Sequence, residues 1–210
     1  MLFLPGWGAP GGVYRGGLQA GWQLLRPPTF KQGGGRLDHY LDWLLGELDA
    51  RGRPVVLGGH SMGGALALLA AARAPQLVER LVLVNPAGLR LTKPMRLSAA
   101  AFFGQVRSGR LARSDAIAAI GGVVRAPLSA LQLAIEVRAL DLSRQMQLIR
   151  DRGTPVTVIG CSTDTLVTPG HCRRAAGLLG ARYREVRLDG GHMWMLGSGE
   201  TFGMELTAAL

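Results

Sequence analysis

Three residues in this chain have the types and setting to cleave an acyl bond together: Ser61, Asp164 and His192. Ser61 lies in Gly59-His60-Ser61-Met62-Gly63, a G-x-S-x-G pattern that is weak by itself in a chain with 31 glycines. Its setting carries the argument. The pattern follows the aliphatic Val55-Val56-Leu57 and opens an Ala- and Leu-rich helix, the strand-turn-helix context of a nucleophile elbow. A serine on so tight a turn needs small neighbours two positions before and after it, and Gly59 and Gly63 supply them. The helix N-terminus behind the serine turns backbone N–H groups toward developing negative charge.

A serine hydroxyl is a poor nucleophile until a base accepts its proton. Of the four histidines, His60 adjoins Ser61, but the elbow turns neighbouring side chains apart, so it is expected to brace the turn. His39 falls on the polar side of an early helix and His171 opens a later one. His192, in Asp189-Gly190-Gly191-His192, lies just beyond the last strand, where a base is needed. The acid that orients it is expected to be Asp164, after the strand 155–159. Asp189 is the rival, three residues from His192 and better suited to a surface turn. The order Ser61, Asp164, His192 matches the serine-acid-histidine order known for this arrangement. All three fall at the C-terminal ends of strands, where open α/β sheets place ligand crevices. Two converging N–H groups would hold the oxyanion: Met62, directly after the nucleophile, and Trp7, in Pro5-Gly6-Trp7-Gly8, whose ring could also wall a substrate pocket.

The elements needed to position these residues are legible. Aliphatic runs at 54–57, 81–84 and 155–159 read as strands, with short apolar runs at 2–5 and 22–25 before them and a last strand at 183–188. Between them, residues 36–51 place Leu37, Tyr40, Leu41, Leu44, Leu45 and Leu48 at helical spacing, 62–74 reads as a buried helix, and 170–179 as another. Aliphatic strands alternating with helices predict an α/β fold, a mostly parallel sheet of about six strands covered on both faces. Residues 1–91 and 153–210 form the expected core. Residues 92–152 break the rhythm, with helical patterns at 111–124 and 128–140, and read as a helical cap insertion whose last helix, near 141–152, returns to the core.

Composition narrows the function. With 210 residues, 48% hydrophobic, the chain suits one globular domain. Ten basic residues against four acidic ones in the segment 91–152 supply six of the ten net positive charges. The arginines are scattered, without aromatic interleaving or a helix-turn-helix, so nucleic acid is not an expected partner. Cys161 and Cys172 have neither metal-ligand spacing nor a disulfide framework, and no metal is expected. No apolar run reaches 18 residues and the N-terminus lacks a charged leader region, so a cytoplasmic protein without membrane insertion is expected.

Taken together, Leu4-Pro5-Gly6-Trp7-Gly8, the elbow through Gly64, Thr163-Asp164 ahead of Val167-Thr168-Pro169, and Gly191-His192 resemble the α/β-hydrolase superfamily, in its bacterial esterase-like branch with a short helical cap. Members usually carry His-Gly where this chain has Pro5-Gly6, and two or three strands before that loop, so the fold expected here is a reduced one. The resemblance implies a cofactor-free serine hydrolase that cleaves a carboxylic ester through an acyl-enzyme. Phe102 and Phe103 in the insertion would line an apolar acyl pocket. Acyl-CoA-like thioesters and C–C bonds of diketones are alternatives for the same machinery. A non-catalytic binding module on the same scaffold is the reading from a different class.

Overall fold

Six extended segments pair side by side in the computed structural model, which describes residues 1–19, 21–91 and 112–210. They are β1 (Leu2–Leu4), β2 (Gln23–Leu24), β3 (Val55–His60), β4 (Val78–Val84), β5 (Val156–Cys161) and β6 (Arg182–Val186). Their order is β2-β1-β3-β4-β5-β6 and every pairing is parallel. Among the described residues the helices are α1 (Gly12–Arg15), α2 (Phe30–Gly33), α3 (Leu37–Asp49), α4 (Met62–Arg73), α5 (Arg113–Arg125), α6 (Pro127–Ala139), α7 (Ser143–Asp151), α8 (Pro169–Leu179) and α9 (Gly199–Thr207).

A parallel sheet must be covered on both faces, and successive residues along a strand point to opposite ones. In β4, Leu81 and Leu83 join a core with α3, α4, α7 and α8, while Val82 and Val84 join a second core with α1 and α9. Helix α4 is buried on nearly every side, which its Ala and Leu composition allows. In α3, Leu37, Tyr40, Leu41, Leu44 and Leu48 are buried, and Leu45 is half-buried.

Two differences from the sequence reading concern glycine. Strand β3 runs on through Gly58 and Gly59 instead of stopping at Leu57, and pairs residue by residue with Val82–Val84. Gly58 is part of the packing: a Cβ there would lie 2.7 Å from Phe3 and 2.8 Å from Trp22. Helix α9, with α1 and α2, has no counterpart in the sequence pattern. Gly199 and Gly203 give α9 weak intrinsic helicity. They are needed where it meets the turn after α1, since a Cβ on either would lie 2.7 Å from backbone atoms of Gly16 or Gly17.

Helices α5 and α6 lie against the loop that follows β1. The Trp7 indole N–H donates to the Ala130 carbonyl (3.1 Å), and the Gly12 N–H donates to the Asp115 carboxylate (3.3 Å). Ala130, Leu133 and Val137 are buried, whereas Ile117, Val124, Leu128 and Ile135 are exposed. No single helix among the described residues is long and apolar enough to cross a membrane; α5 and α6 together are apolar enough, but bend by 97° at their junction.

Candidate active site

The chain leaves β1 toward β2 and leaves β3 toward β4, on opposite sides. The strand order therefore reverses between β1 and β3, the position at which open α/β sheets form a crevice. Ser61 stands there, between the end of β3 and the start of α4, with φ 54° and ψ −117°. For a non-glycine residue that backbone is strained and has to be held by its surroundings. The Ser61 N–H donates to the Val84 carbonyl (3.1 Å), and the Ser61 carbonyl accepts from Ala65 and Ala87. Both flanking glycines are required sterically. A Cβ on Gly59 would overlap the Gly63 carbonyl, and one on Gly63 would overlap the Leu4 carbonyl and lie 2.7 Å from the Pro5 oxygen.

His192 reaches this serine from a short 3-10 turn after β6, Gly191–Met193. Its Nε2 is 2.9 Å from Ser61 Oγ, and its Nδ1 is 2.7 Å from Asp164 Oδ2. An ionised carboxylate only accepts, so Nδ1 carries the proton and Nε2 is left to accept from the serine hydroxyl. Gly190 and Gly191 both take positive φ in the approach to His192, and a Cβ on Gly190 would lie 2.8 Å from the Trp194 Cα.

The buried Asp164 is fully partnered. Oδ1 accepts from the N–H groups of Leu166 (2.7 Å) and Val167 (3.1 Å), and Oδ2 accepts from His192 and from Asn85 Nδ2 (2.6 Å). The Trp194 indole donates to Asn85 Oδ1 (3.0 Å), which turns the amide N–H of Asn85 toward Asp164. The sequence pattern ends a strand at Val84 and singles out neither Asn85 nor Trp194. The available signal is an Asn, a residue tolerant of positive φ, at a strand end of the crevice; Asn85 indeed has φ 41°.

The remaining candidates separate clearly. Asp189 is exposed, and the carboxylate bonded to His192 is that of Asp164. His39 bonds the Gly33 carbonyl, and His171 sits between Thr168 and the Arg90 carbonyl. His60 is buried with its ring centroid 4.7 Å from that of His192. Burial holds its pKa well below the usual histidine value, and proximity to His192 pushes in the same direction.

Met62 is the first residue of α4 and is buried. The Trp7 ring stacks on Phe30 at 5.2 Å and packs against the core, and its indole N–H is taken up by Ala130. The indole group is thus part of the seam between the β1 loop and α6. Phe102 and Phe103 lie outside the described residues. Among those described, no group of three or more His, Cys, Asp or Glu side chains could hold a metal ion. Cys161 and Cys172 are free and buried, and burial pushes the Cys172 thiol pKa up.

Comparison with known proteins gives a consistent picture of the scaffold. A profile of the "Alpha/beta hydrolase family" matches residues 1–202. No curated protein sequence matches the chain. Among solved structures, a bromoperoxidase from Bacillus anthracis is similar at 16% identity and TM-score 0.79, over 99% of this chain and 90% of that one. An N-acyl homoserine lactone degrading enzyme is similar at 20% identity and TM-score 0.75, over 100% and 92%. The enol-lactonase from Burkholderia xenovorans is similar at 20% identity and TM-score 0.71, over 99% and 90%. At these identities the likeness is one of fold.

Proposed function

This chain belongs to the alpha/beta hydrolase family, and on that premise we propose that it is a serine hydrolase cleaving a carboxylic ester through an acyl-enzyme. The observation that carries the reading is the unbroken chain from Ser61 Oγ through both nitrogens of His192 to the buried Asp164. Ser61 Oγ attacks the ester carbonyl carbon while His192 Nε2 takes the hydroxyl proton. The oxyanion is received by the backbone N–H groups of Met62 and Trp7. As the tetrahedral species collapses, the C–O bond to the alcohol breaks and His192 returns its proton to the leaving oxygen. Water, deprotonated by His192, then attacks the acyl-enzyme; the acyl bond to Ser61 Oγ breaks, His192 returns the proton to that oxygen, and the acid leaves. Asp164 stays ionised throughout, holding Nδ1–H and stabilising the imidazolium.

Of the similar structures, one is an N-acyl homoserine lactone degrading enzyme and one an enol-lactonase. A lactone is a cyclic ester, opened by the same steps with both products in one molecule, so lactones belong in the substrate panel. The test is turnover of p-nitrophenyl esters from acetate to palmitate, a γ-lactone and an acyl-CoA by wild type and Ser61→Ala. A loss of about 10³-fold or more in the folded variant is expected. Equal turnover by both proteins would overturn the assignment, and no turnover by wild type would favour a binding module.

A further inference from the structure

Three hydrogen bonds beside the site form a series whose direction is fixed by its ends. The Gly6 N–H donates to Tyr14 Oη (2.8 Å), Tyr14 Oη lies 2.8 Å from His60 Nδ1, and His60 Nε2 lies 3.0 Å from the His192 carbonyl oxygen. A backbone N–H can only donate and a backbone carbonyl can only accept. The last bond therefore requires a proton on Nε2. A neutral imidazole then presents a lone pair at Nδ1, which takes the single proton of the Tyr14 hydroxyl. That hydroxyl in turn accepts from Gly6. Each proton has one place, and all donors point from Gly6 toward His192.

Both ends of the series are at the site. Gly6 directly precedes Trp7, and a Cβ on Gly6 would lie 2.8 Å from His60 Nδ1 and 3.4 Å from Ser61 Cβ. The other end is the backbone of His192 itself. The middle is dry: Tyr14 is 0% exposed and His60 2%. Protonated His60 would aim a second N–H at an oxygen already receiving one, and would place a positive charge against the imidazolium that His192 becomes. Burial and the nearness of His192 both hold His60 neutral.

We propose that Tyr14 and His60 are positioning residues, a one-way hydrogen-bond relay that locks the loop after β1 and the loop of His192 into one geometry around Ser61. The inference rests on the assignment of Ser61 and His192 made above. Packing alone is the competing account, since Tyr14 also touches Phe3 (5.4 Å between centroids) and Phe202 (6.2 Å). Tyr14→Phe separates the two. It keeps the ring and removes one oxygen, leaving the Gly6 N–H and His60 Nδ1 without a partner.

The experiment uses a fluorophosphonate, which needs no knowledge of the natural substrate. Ser61 Oγ bonds to phosphorus, the P–F bond breaks, fluoride leaves, and the serine proton passes to His192. Phosphonylation is followed by intact mass, with the limiting rate and half-saturation concentration measured separately and near-UV circular dichroism confirming the fold. Tyr14→Phe is expected to lower the limiting rate by about 10- to 100-fold, the effect of a small misplacement of reacting groups, with half-saturation essentially unchanged. The double variant Tyr14→Phe/His60→Leu should be no slower than the slower single variant, since both break one series. His60→Gln, which can still offer an amide N–H to the His192 carbonyl, should stay closer to wild type than His60→Leu. A wild-type rate in Tyr14→Phe, or losses that multiply in the double variant, would overturn the relay while leaving Ser61 as nucleophile. Wild-type protein that takes no label at Ser61 would instead overturn the hydrolase assignment, and the relay with it.

Discussion

His60 adjoins Ser61 in sequence but faces Tyr14 on one side and the ring and carbonyl of His192 on the other. Its pKa in the folded protein lies well below the ordinary value of 6.5. The folded state consequently binds fewer protons here than the unfolded chain does. The sign follows: the contribution to stability is complete above about pH 6.5 and is lost as the pH falls from there through the folded-state value. Between pH 7 and pH 5, the urea midpoint of wild type should fall further than that of His60→Gln, which has no titrating group. Equal falls in the two proteins would assign the acid sensitivity to other groups. At this scale the sequence was legible where a residue's own neighbours dictate its place. Ser61 needs its glycines, and His192 and Asp164 follow strands. Asn85, Trp194 and Tyr14 were not legible because their roles exist only through partners far along the chain. Asn85 and Asp164 are 79 positions apart, Trp194 and Asn85 109, and Tyr14 and His60 46.

Elements differ in how much space they leave their glycines. Gly63 in α4 is pressed onto the Leu4 and Pro5 carbonyls, whereas Gly46 in α3 is exposed and a methyl group there would meet nothing within 4 Å. Gly46→Ala should stabilise the protein by about 0.5–1 kcal/mol, through helix propensity alone. Gly63→Ala should destabilise it by more than about 1 kcal/mol and also cost activity, because backbone atoms of the β1 loop must shift. Urea unfolding of the two variants checks both signs. The same contrast explains which elements sequence could show. Helices α3 and α8 declare themselves by apolar spacing, and α4 by its continuous Ala- and Leu-rich run. Helix α9 carries two glycines that lower its propensity, and its reason for being helical is the second core, where Phe202 and Leu206 are fully buried.

For the molecule as a whole, the parallel architecture was legible because buried strands read as aliphatic runs, but the assignment of residues to two separate cores was not. It depends on which strand neighbours which, and on Phe3, Trp194 and Phe202 meeting edge to face at 5.6 Å. The site is likewise assembled from loops after β1, β3, β4, β5 and β6. These contributions are not equally dependent on one another. Three of the four bonds to Asp164 come from Asn85, Leu166 and Val167, and only one from His192. Asp164 is therefore anchored without His192. Cutting the imidazole away, as in His192→Ala, should leave a socket with an ionised floor and the serine still in its elbow. Free imidazole in solution should fit that socket and restore part of the lost turnover in a saturable manner, measured as rate against imidazole concentration. The base would behave as a replaceable part, with its place kept by the rest of the fold.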